Sequence, residues 1–353
     1  MIVDDSVVIR RLLSDALSSD PRIEVVATAA NGRIALTRLA TMPVDVLVLD
    51  VEMPVLDGLA TLRELRASNR RLPVIMFSTL TERGARITIE ALASGATDYV
   101  TKPANVGSIT ESREAIRDQL LPRVLTLGGN RTPAARVPVP AVAPPPRSVR
   151  PPQLLVVGSS TGGPEALGAL LPQLPADLAV PVVVVQHMPP LFTALLAERL
   201  NRTSALTVRE VAGNEPLQPG TVYLAPGDHH LEVAGGPARA HLVVHSGPPE
   251  NFCRPSVDVL FRSAARGYRD AVLGVVLTGM GTDGRDGARH IVDAGGQVLV
   301  QDQASSVVWG MPGSIATAGL AAACLPLDQL PPAIMQRVGR RGVIAQPALG
   351  ARR

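Results

Sequence analysis

The chain has 353 residues, more than one ordinary hydrophobic core organises, and this length predicts two domains. Apolar residues make up 46% of the sequence and aromatic residues only 2%, so aliphatic side chains can fill both cores, while stacking of bases on aromatic rings is disfavoured. The net charge is only +3, and we therefore expect no binding to nucleic acid.

The first 120 residues alternate short apolar runs with stretches of helical periodicity. The short runs predict strands at Val25–Ala27, Val44–Leu49, Pro73–Phe77 and Asp98–Thr101. Apolar residues at three- and four-residue spacing predict helices over Val7–Leu17, Arg33–Leu39, Leu59–Leu65, Arg83–Leu92 and Ile109–Leu120. Strands that alternate with helices predict a parallel, doubly wound α/β sheet. Its first strand is a truncated stub, because only Met1-Ile2-Val3 precedes the acidic pair.

A proline-rich segment separates this first domain from a second α/β domain. Gly128–Pro152 is rich in Pro, Ala, Val and Arg, which predicts a semi-rigid extended linker. Strand-like runs then return at Leu154–Val157, Pro181–Gln186, Thr221–Ala225, Ala271–Thr278 and Gln297–Gln301. We expect a first domain over residues 1–121, a linker over 122–152, a second doubly wound α/β domain over 153–345 and a frayed tail over 346–353.

A cation-assisted phosphoryl site is predicted at the strand ends of the first domain. Ligands bind outside the carboxyl ends of strands in open parallel sheets. Asp4, Asp5, Asp50, Ser78 and Lys102 all fall at such ends. The three carboxylates offer the hard oxygen ligands that Mg²⁺ prefers, and Asp50 can accept a phosphoryl group as an acyl phosphate. Lys102 is the single lysine among 34 basic residues, which suggests a site that needs a compact ammonium group.

These residues carry a specific resemblance that covers about the first third of the chain. The matching motifs are Val3-Asp-Asp-Ser6, Leu49-Asp-Val-Glu-Met-Pro54 with Asp57-Gly58, Ser78 and Thr101-Lys-Pro103. They resemble the response-regulator receiver domain, which implies a flavodoxin-like fold and Mg²⁺-dependent phosphorylation of Asp50 by a histidine kinase. The resemblance also implies that Ser78 and Tyr99, together with Lys102, are the switch residues that relay phosphorylation to the opposite face.

A glycine-rich turn opens the second domain. Gly158-Ser-Ser-Thr-Gly-Gly-Pro164 joins a buried strand to a helix, and a helix N-terminus supplies free N–H groups and the positive end of a dipole. Such a turn serves either to cradle phosphate or to place a nucleophilic serine beside amides that stabilise an oxyanion. The segment lacks the lysine of a Walker loop, which argues against nucleotide binding.

A histidine and an aspartate follow two other strands of the same domain. His187 comes directly after Pro181–Gln186, and Asp283 follows Ala271–Thr278. Since strand ends of a parallel sheet share one edge, the glycine-rich turn, His187 and Asp283 can meet in one crevice. A Ser-His-Asp triad is recognised by geometry and roles, so the order along the chain does not exclude it.

Most of the second half resembles one enzyme family. The matching segments, in the family's order, are Gly158–Leu167, Gln186–Pro190, Tyr223–Asp228, Gly247-Pro-Pro249 with Arg254–Phe261, Leu277–Gly281 and Gly310-Met-Pro312. They are similar to the catalytic domain of the chemotaxis protein-glutamate methylesterase/glutaminase family, CheB. The resemblance implies Ser160 as nucleophile, His187 as general base and Asp283 as its orienting acid. It also implies an oxyanion hole formed by the backbone amides of Thr161 and Met280, while Ser159 is a structural neighbour.

The resemblance implies a phosphorylation-activated serine hydrolase. It would remove methyl groups from glutamate γ-methyl esters on the cytoplasmic helices of chemoreceptors and deamidate some receptor glutamines, with Mg²⁺ in the receiver and no cofactor in the catalytic domain. We expect a monomer in the cytoplasm, not inserted in a membrane, since no stretch approaches 18 uninterrupted apolar residues and no signal pattern opens the chain.

Two other functions remain open from the sequence alone. One is a non-catalytic scaffold whose binding is controlled by phosphorylation and whose glycine-rich loop holds a ligand. The other is a DNA-binding response regulator, which the absence of a compact basic helix-turn-helix pattern disfavours. The histidines besides His187 lack metal-ligand spacing and predict structural roles; they are His229, His230, His241, His245 and His290.

Overall fold

A computed structural model describes residues 1–68, 71–103, 109–129 and 151–339 as two α/β halves. The first half contains strands β1 (Ile2–Val3), β2 (Thr28–Ala29), β3 (Leu47–Asp50), β4 (Val74–Ser78) and β5 (Asp98–Thr101). Its helices are α1 (Val7–Leu17), α2 (Gly32–Leu39), α3 (Gly58–Ser68), α4 (Glu82–Ala93) and α5 (Ile109–Gly128). The strands are all parallel and form one sheet in the order β2-β1-β3-β4-β5.

The truncated first strand is still part of the sheet. Strand β1 has two residues, both buried, and pairs with β2 on one side and β3 on the other. The terminal amine of Met1 donates a hydrogen bond of 2.9 Å to Val46 O, which ties the start of the chain to the segment before β3. The short strand is thus anchored by its neighbours rather than by its own length.

Two predicted elements of this half are misplaced. The strand expected at Val25–Ala27 forms instead at Thr28–Ala29, because those two residues pair with Ile2 and Val3. The helix expected to end at Leu120 continues to Gly128 with Pro122 inside it. Residues 122–128 are therefore helical rather than part of an extended linker.

The second half is built on a larger parallel sheet. It has seven strands in the order β14-β13-β12-β6-β7-β9-β8. These strands are β6 (Leu154–Ser159), β7 (Val182–Gln186), β8 (Thr207–Glu210), β9 (Thr221–Leu224), β12 (Val272–Val276), β13 (Gln297–Gln301) and β14 (Ala323–Leu325). An antiparallel hairpin, β10 (His230–Ala234) and β11 (His241–His245), lies outside this sheet.

Helices cover the larger sheet. They are α6 (Gly163–Leu170), α7 (Phe192–Thr203), α8 (Val257–Tyr268), α9 (Arg285–Asp293), α10 (Gly310–Thr317) and α11 (Leu330–Val338). The central strands β6, β7 and β12 are buried along their whole length, and a parallel sheet covered on both faces explains their continuous Val/Leu runs. Sequence predicted these three strands but not β8, β14 or the hairpin. Most of the predicted linker and the predicted tail lie outside the described residues.

In the described part of the chain, no helix has both the length and the hydrophobicity needed to cross a membrane.

Candidate active site

The first predicted site forms at the carboxyl ends of β1, β3 and β5. Asp50 ends β3, Asp4 follows β1 and Lys102 follows β5. Lys102 Nζ lies 2.9 Å from Asp4 Oδ2 and 2.8 Å from Asp50 Oδ1. Carboxylate oxygens of Asp4, Asp5 and Asp50 all lie within 4.8 Å of one another. The structure therefore brings together four of the residues that the sequence assigned to phosphoryl chemistry.

The electrostatics of Asp50 fit a cation and a phosphoryl group. Asp50 is only 2% exposed, and its Oδ2 is buried without a hydrogen-bond partner. Burial raises the pKa of Asp50 to about 6, although Lys102 opposes the shift. Burial also lowers the pKa of Lys102, but its ion pairs with Asp50 and Asp4 outweigh burial and raise it. An orphaned carboxylate oxygen beside two further acids is the donor set that Mg²⁺ accepts.

Two of the three predicted switch residues, Ser78 and Tyr99, lie on the strands β4 and β5. Ser78 ends β4 fully buried, and its Oγ donates a hydrogen bond to Thr79 O at 3.2 Å rather than reaching Lys102 or Asp50. Tyr99, on β5, stacks against Phe192 at the start of α7, with ring centroids 4.8 Å apart and planes 12° apart. Tyr99 therefore contacts the second half directly.

The glycine-rich turn places Ser160 at the end of β6. Gly162 adopts a positive φ of 78°, which favours glycine. A Cβ on Gly163 would come within 1.9 Å of Gln186 Oε1, so the turn approaches β7 too closely for any side chain there. Gln186 Nε2 in turn donates to Ser160 O at 3.0 Å and holds the serine backbone. The buried Ser159 Oγ donates to Gln186 Oε1 at 2.7 Å, the structural role expected of it.

Asp283 is fixed by donors and fixes His187. Its Oδ2 lies 2.8 Å from His187 Nε2 and accepts a hydrogen bond from Val257 N at 2.7 Å. Its Oδ1 accepts hydrogen bonds from Ser256 Oγ at 2.8 Å and Asn251 Nδ2 at 3.0 Å. Burial favours the neutral acid, but His187 and these donors hold the pKa of Asp283 well below its usual range. A stable carboxylate therefore orients the imidazole ring.

The other ring nitrogen of His187 faces the cleft. Its Nδ1 lies 3.6 Å from Cys253 Sγ. Ser160 Oγ makes no hydrogen bond within the described residues, and Nδ1 is the ring nitrogen of His187 that Asp283 does not hold. Burial alone would lower the pKa of His187, but the hydrogen bond to Asp283 and the contact with Cys253 raise it to about 10.

Two free amides complete the cleft. The backbone N–H groups of Thr161 and Met280 donate to no acceptor among the described residues. Both residues line a cleft of about 680 Å³ together with Ser160, His187 and Cys253. Unpaired amides beside a serine are what an oxyanion hole requires. Ser160, His187 and the two predicted oxyanion donors thus line one cavity, with Asp283 behind His187.

Residues of the first half line the same cleft. Tyr99, Thr101 and Arg123 contribute to its walls. Thr161 Oγ1 donates a buried hydrogen bond of 2.8 Å to Asp98 Oδ2, which also accepts from Arg123 Nε at 3.0 Å. The first residue of β5 is therefore bonded to the neighbour of Ser160.

Sequence reasoning missed Asp98, Cys253 and Asn251 as parts of this site. Asp98 and Thr161 are 63 residues apart, and Cys253 and His187 are 66 residues apart, so no local pattern reveals these contacts. Asn251 and Cys253 lie within three residues of the Arg254–Phe261 motif, and this proximity could have identified them.

The remaining histidines are hydrogen-bonded to backbone groups, consistent with structural roles. Their backbone partners are Gly227 O for His229, Pro248 O and Ser256 N for His230, Arg239 O for His241, Gly247 N for His245 and Asp286 O for His290.

Comparison with known proteins agrees with this geometry. A family model described as "CheB methylesterase" matches residues 155–334, and one described as "Response regulator receiver domain" matches residues 1–114. A solved CheB methylesterase catalytic domain from Thermotoga maritima is 42% identical with a TM-score of 0.51, covering 52% of this chain and 98% of that one.

Curated relatives match nearly the whole chain. A protein-glutamate methylesterase/protein-glutamine glutaminase from Nocardioides sp. is 55% identical, with 99% of this chain and 97% of the relative covered. One of the same name from Trichodesmium erythraeum is 46% identical over 96% of this chain and 98% of the relative. The scaffold and DNA-binding readings are not favoured by these matches. The chain therefore belongs to the protein-glutamate methylesterase/protein-glutamine glutaminase family, the chemotaxis hydrolases that carry a receiver domain and are regulated by its phosphorylation.

Proposed function

We propose that Ser160, His187 and Asp283 perform the hydrolysis as a triad in which the histidine works through Nδ1. Ser160 Oγ attacks the ester carbonyl carbon, and its proton passes to His187 Nδ1. The resulting oxyanion accepts hydrogen bonds from the amides of Thr161 and Met280. Methanol leaves with the proton from His187, or ammonia when the substrate is a glutamine amide. A water molecule that His187 deprotonates then releases the glutamate.

The observation that carries this proposal is the fixed orientation of His187. Asp283 holds Nε2 at 2.8 Å, which leaves Nδ1 beside Cys253 Sγ, and His187 and Cys253 line the same cavity as Ser160 and the two free amides. No other described histidine combines a buried carboxylate partner with this cavity. We propose that the substrate is a γ-glutamyl ester or amide on the cytoplasmic helices of chemoreceptors, and that the enzyme acts on it in the cytoplasm as a monomer.

We further propose that the receiver half controls access to the cleft. Asp50 accepts the phosphoryl group from a chemotaxis histidine kinase. Asp4, Asp5 and Asp50 would hold Mg²⁺, which would supply charge neutralisation for phosphoryl transfer. Lys102 pairs with the acceptor carboxylate and then with the new phosphoryl oxygens. The contacts of Asp98 and Tyr99 with Thr161 and Phe192 support a receiver that covers the site before phosphorylation and leaves it afterwards.

The two adjacent serines provide a direct test of the nucleophile. Ser160→Ala should abolish methanol release from methylated receptor while leaving the fold and Asp50 phosphorylation intact. Ser159→Ala removes only the hydrogen bond to Gln186, which costs on the order of 1 kcal/mol of stability, and should retain most of the activity. If Ser159→Ala were inactive and Ser160→Ala active, the assignment of the nucleophile would be wrong.

A further inference from the structure

The active-site cleft contains a thiol that the hydrolytic mechanism does not use, and this thiol lies beside the proposed general base. Cys253 Sγ faces His187 Nδ1 across 3.6 Å, and both side chains line the cleft. Ligand atoms of His187, Cys253 and Asp283 all lie within 4.8 Å of one another. Sulfur and imidazole nitrogen are ligands that zinc accepts.

The separation of the two atoms suits one metal ion between them. Zinc bonds cysteine sulfur at about 2.3 Å and histidine nitrogen at about 2.0–2.1 Å. For two such ligand atoms 3.6 Å apart, the angle at the metal would be roughly 110°, which is tetrahedral. We propose that Cys253 Sγ and His187 Nδ1 form an inhibitory site for Zn²⁺ or a similar divalent cation in the catalytic cleft.

Both ligands are held in place before a metal arrives. Glu250 and Cys253 exchange two backbone hydrogen bonds, of 3.1 and 2.9 Å, which fix the loop that carries the thiol. Asp283 bonds the opposite ring nitrogen of His187, and a carboxylate behind a metal-bound histidine orients the ring and increases its basicity. The two remaining tetrahedral positions would be filled by water. Binding would release to solvent the thiol proton and, where the His187 ring is protonated, the proton on Nδ1.

The chemistry of the two cation sites differs within the described part of the chain. The receiver cluster of Asp4, Asp5 and Asp50 offers only oxygen, which suits Mg²⁺. The catalytic cleft offers thiolate and imidazole, which disfavour Mg²⁺ and favour zinc. One enzyme would therefore take a hard cation at its regulatory site and a softer one at its catalytic site.

Occupation of the cleft site should stop catalysis. The inhibitory consequence rests on the proposed function, because zinc at Nδ1 uses the lone pair that His187 needs to accept the Ser160 proton. Binding itself rests only on Cys253 and His187. Zinc binding and zinc inhibition can therefore be tested, and refuted, separately.

Binding can be tested with Co²⁺ as a spectroscopic stand-in for Zn²⁺. When Co²⁺ is added to metal-free full-length protein, a thiolate-to-cobalt charge-transfer band should appear. One equivalent of Zn²⁺ should then remove this band. Cys253→Ser should lose the band, whereas Cys324→Ala should keep it, because Cys324 lies on the edge strand β14 with its Sγ near Gln301 O. Ser160→Ala should also keep the band. No thiolate band in the unmodified protein, or an unchanged band in Cys253→Ser, would overturn the site.

Inhibition is measured on the same proteins. Zn²⁺ should block methanol release by the unmodified enzyme and by Cys324→Ala, and a chelator should restore it. Cys253→Ser should need at least about tenfold more Zn²⁺ for the same inhibition, equivalent to about 1.4 kcal/mol of binding. If Zn²⁺ bound at Cys253 without slowing methanol release, the inhibitory role would be excluded, whereas the nucleophile proposed above is tested separately by Ser160→Ala.

Discussion

The surroundings of two neighbouring buried carboxylates, Asp283 and Asp258, shift their pKa values in opposite directions. Asp283 accepts hydrogen bonds from the backbone at the start of α8 and from side chains, and its pKa is held low. Burial raises the pKa of Asp258 to about 6, with the charge of Asp283 adding to the shift. Asn251 Nδ2 bridges the two acids at 2.8 and 3.0 Å. On acidification, Asp258 therefore takes up a proton well before Asp283, the carboxylate that holds His187.

The raised pKa of His187 predicts an unusual pH dependence. The imidazolium form cannot accept the serine proton, so kcat/KM should rise with pH through a pKa above the ordinary histidine value of 6.5. Cys253→Ser removes one of the two side chains that raise this pKa, so the acid limb of the profile should move to lower pH.

The measurement is methanol release as a function of pH, with a chelator present and isolated catalytic domain as enzyme, so that metal inhibition and Asp50 phosphorylation do not contribute. An acid limb below the ordinary histidine range would contradict the raised pKa. A limb at the same pH in both proteins would show that Cys253 has no part in it.

At the scale of elements, β5 joins regulation to catalysis. Its first two residues, Asp98 and Tyr99, contact Thr161 and Phe192 of the second half. Its last residue, Thr101, precedes Lys102, which pairs with Asp50. A change in charge at the phosphoryl site is therefore separated from the interface by a few residues of a single strand.

The ring of Tyr99 should stabilise the closed arrangement. A stacked aromatic pair contributes about 0.5–1.5 kcal/mol beyond its buried area, so Tyr99→Ala should raise the unphosphorylated rate of methanol release by on the order of tenfold. Tyr99→Phe keeps the stacked ring and is the matched control, expected to stay near the original rate. Equal basal rates for Tyr99→Ala and Tyr99→Phe would show that the stack does not hold the receiver in place.

An exposed ion pair at the same interface should matter far less. Arg86 on α4 lies 3.5 Å from Glu198 on α7, and both side chains are 54% exposed. Such pairs contribute about 0–1 kcal/mol because water screens them. Arg86→Ala should therefore raise the basal rate much less than Tyr99→Ala does.

Helices and strands with a strong local residue pattern were predictable from the sequence. Short edge strands, which form only by pairing with a neighbouring strand, were not. Helix Val7–Leu17 and strands Asp98–Thr101 and Gln297–Gln301 have the predicted bounds. The predicted end of α5 at Leu120 was wrong, because the helix continues through Pro122 to Gly128. The edge strands β8 and β14 were missed because their short runs acquire strand structure by pairing with β9 and β13.

The candidate site divides in the same way. Ser160, His187 and Asp283 each follow a strand of one parallel sheet, and its shared edge was enough to predict the contact of His187 with Asp283 and the common cleft of His187 and Ser160. The choice of Nδ1 as the working nitrogen and the thiol of Cys253 beside it depend on loop conformations. Residue patterns along the chain carry no signal for either feature.

At the scale of the whole molecule, the two halves pack so that one covers the active site of the other. A receiver that favours the closed state by about 2.7 kcal/mol would leave only on the order of one molecule in a hundred open. Removing the residues before Pro152 should therefore raise basal methanol release by up to about 100-fold. The isolated catalytic domain is suitable for this measurement, because the structure of a relative's catalytic domain has been solved without its receiver.

Substitutions at the phosphoryl site should have the opposite effect on the full chain. Asp50→Asn removes the acceptor, and Lys102→Arg replaces a compact ammonium, bonded to Asp4 and Asp50 in a nearly closed site, with a larger planar group. Both variants should stay near the basal rate when a small phosphodonor and Mg²⁺ are added, whereas the unmodified chain should be activated. If the isolated catalytic domain were no faster than the unphosphorylated chain, steric inhibition would be refuted.

The hydrogen bond between Thr161 and Asp98 has a consequence for how the enzyme responds to its own substrate. Thr161 cannot hold a reacting carbonyl beside its amide while the receiver occupies the same cleft, so substrate and receiver compete. By thermodynamic reciprocity, a substrate that displaces the receiver must favour the phosphorylated state by the same factor by which phosphorylation favours substrate binding. Beryllofluoride serves as a stand-in for the phosphoryl group on Asp50. Ser160→Ala protein saturated with methylated receptor should therefore bind beryllofluoride and Mg²⁺ more tightly than the same protein without receptor. The factor should equal the ratio of the receptor affinities measured with and without beryllofluoride. Such an enzyme would respond to the coincidence of a kinase signal and a methylated receptor, rather than to either one alone.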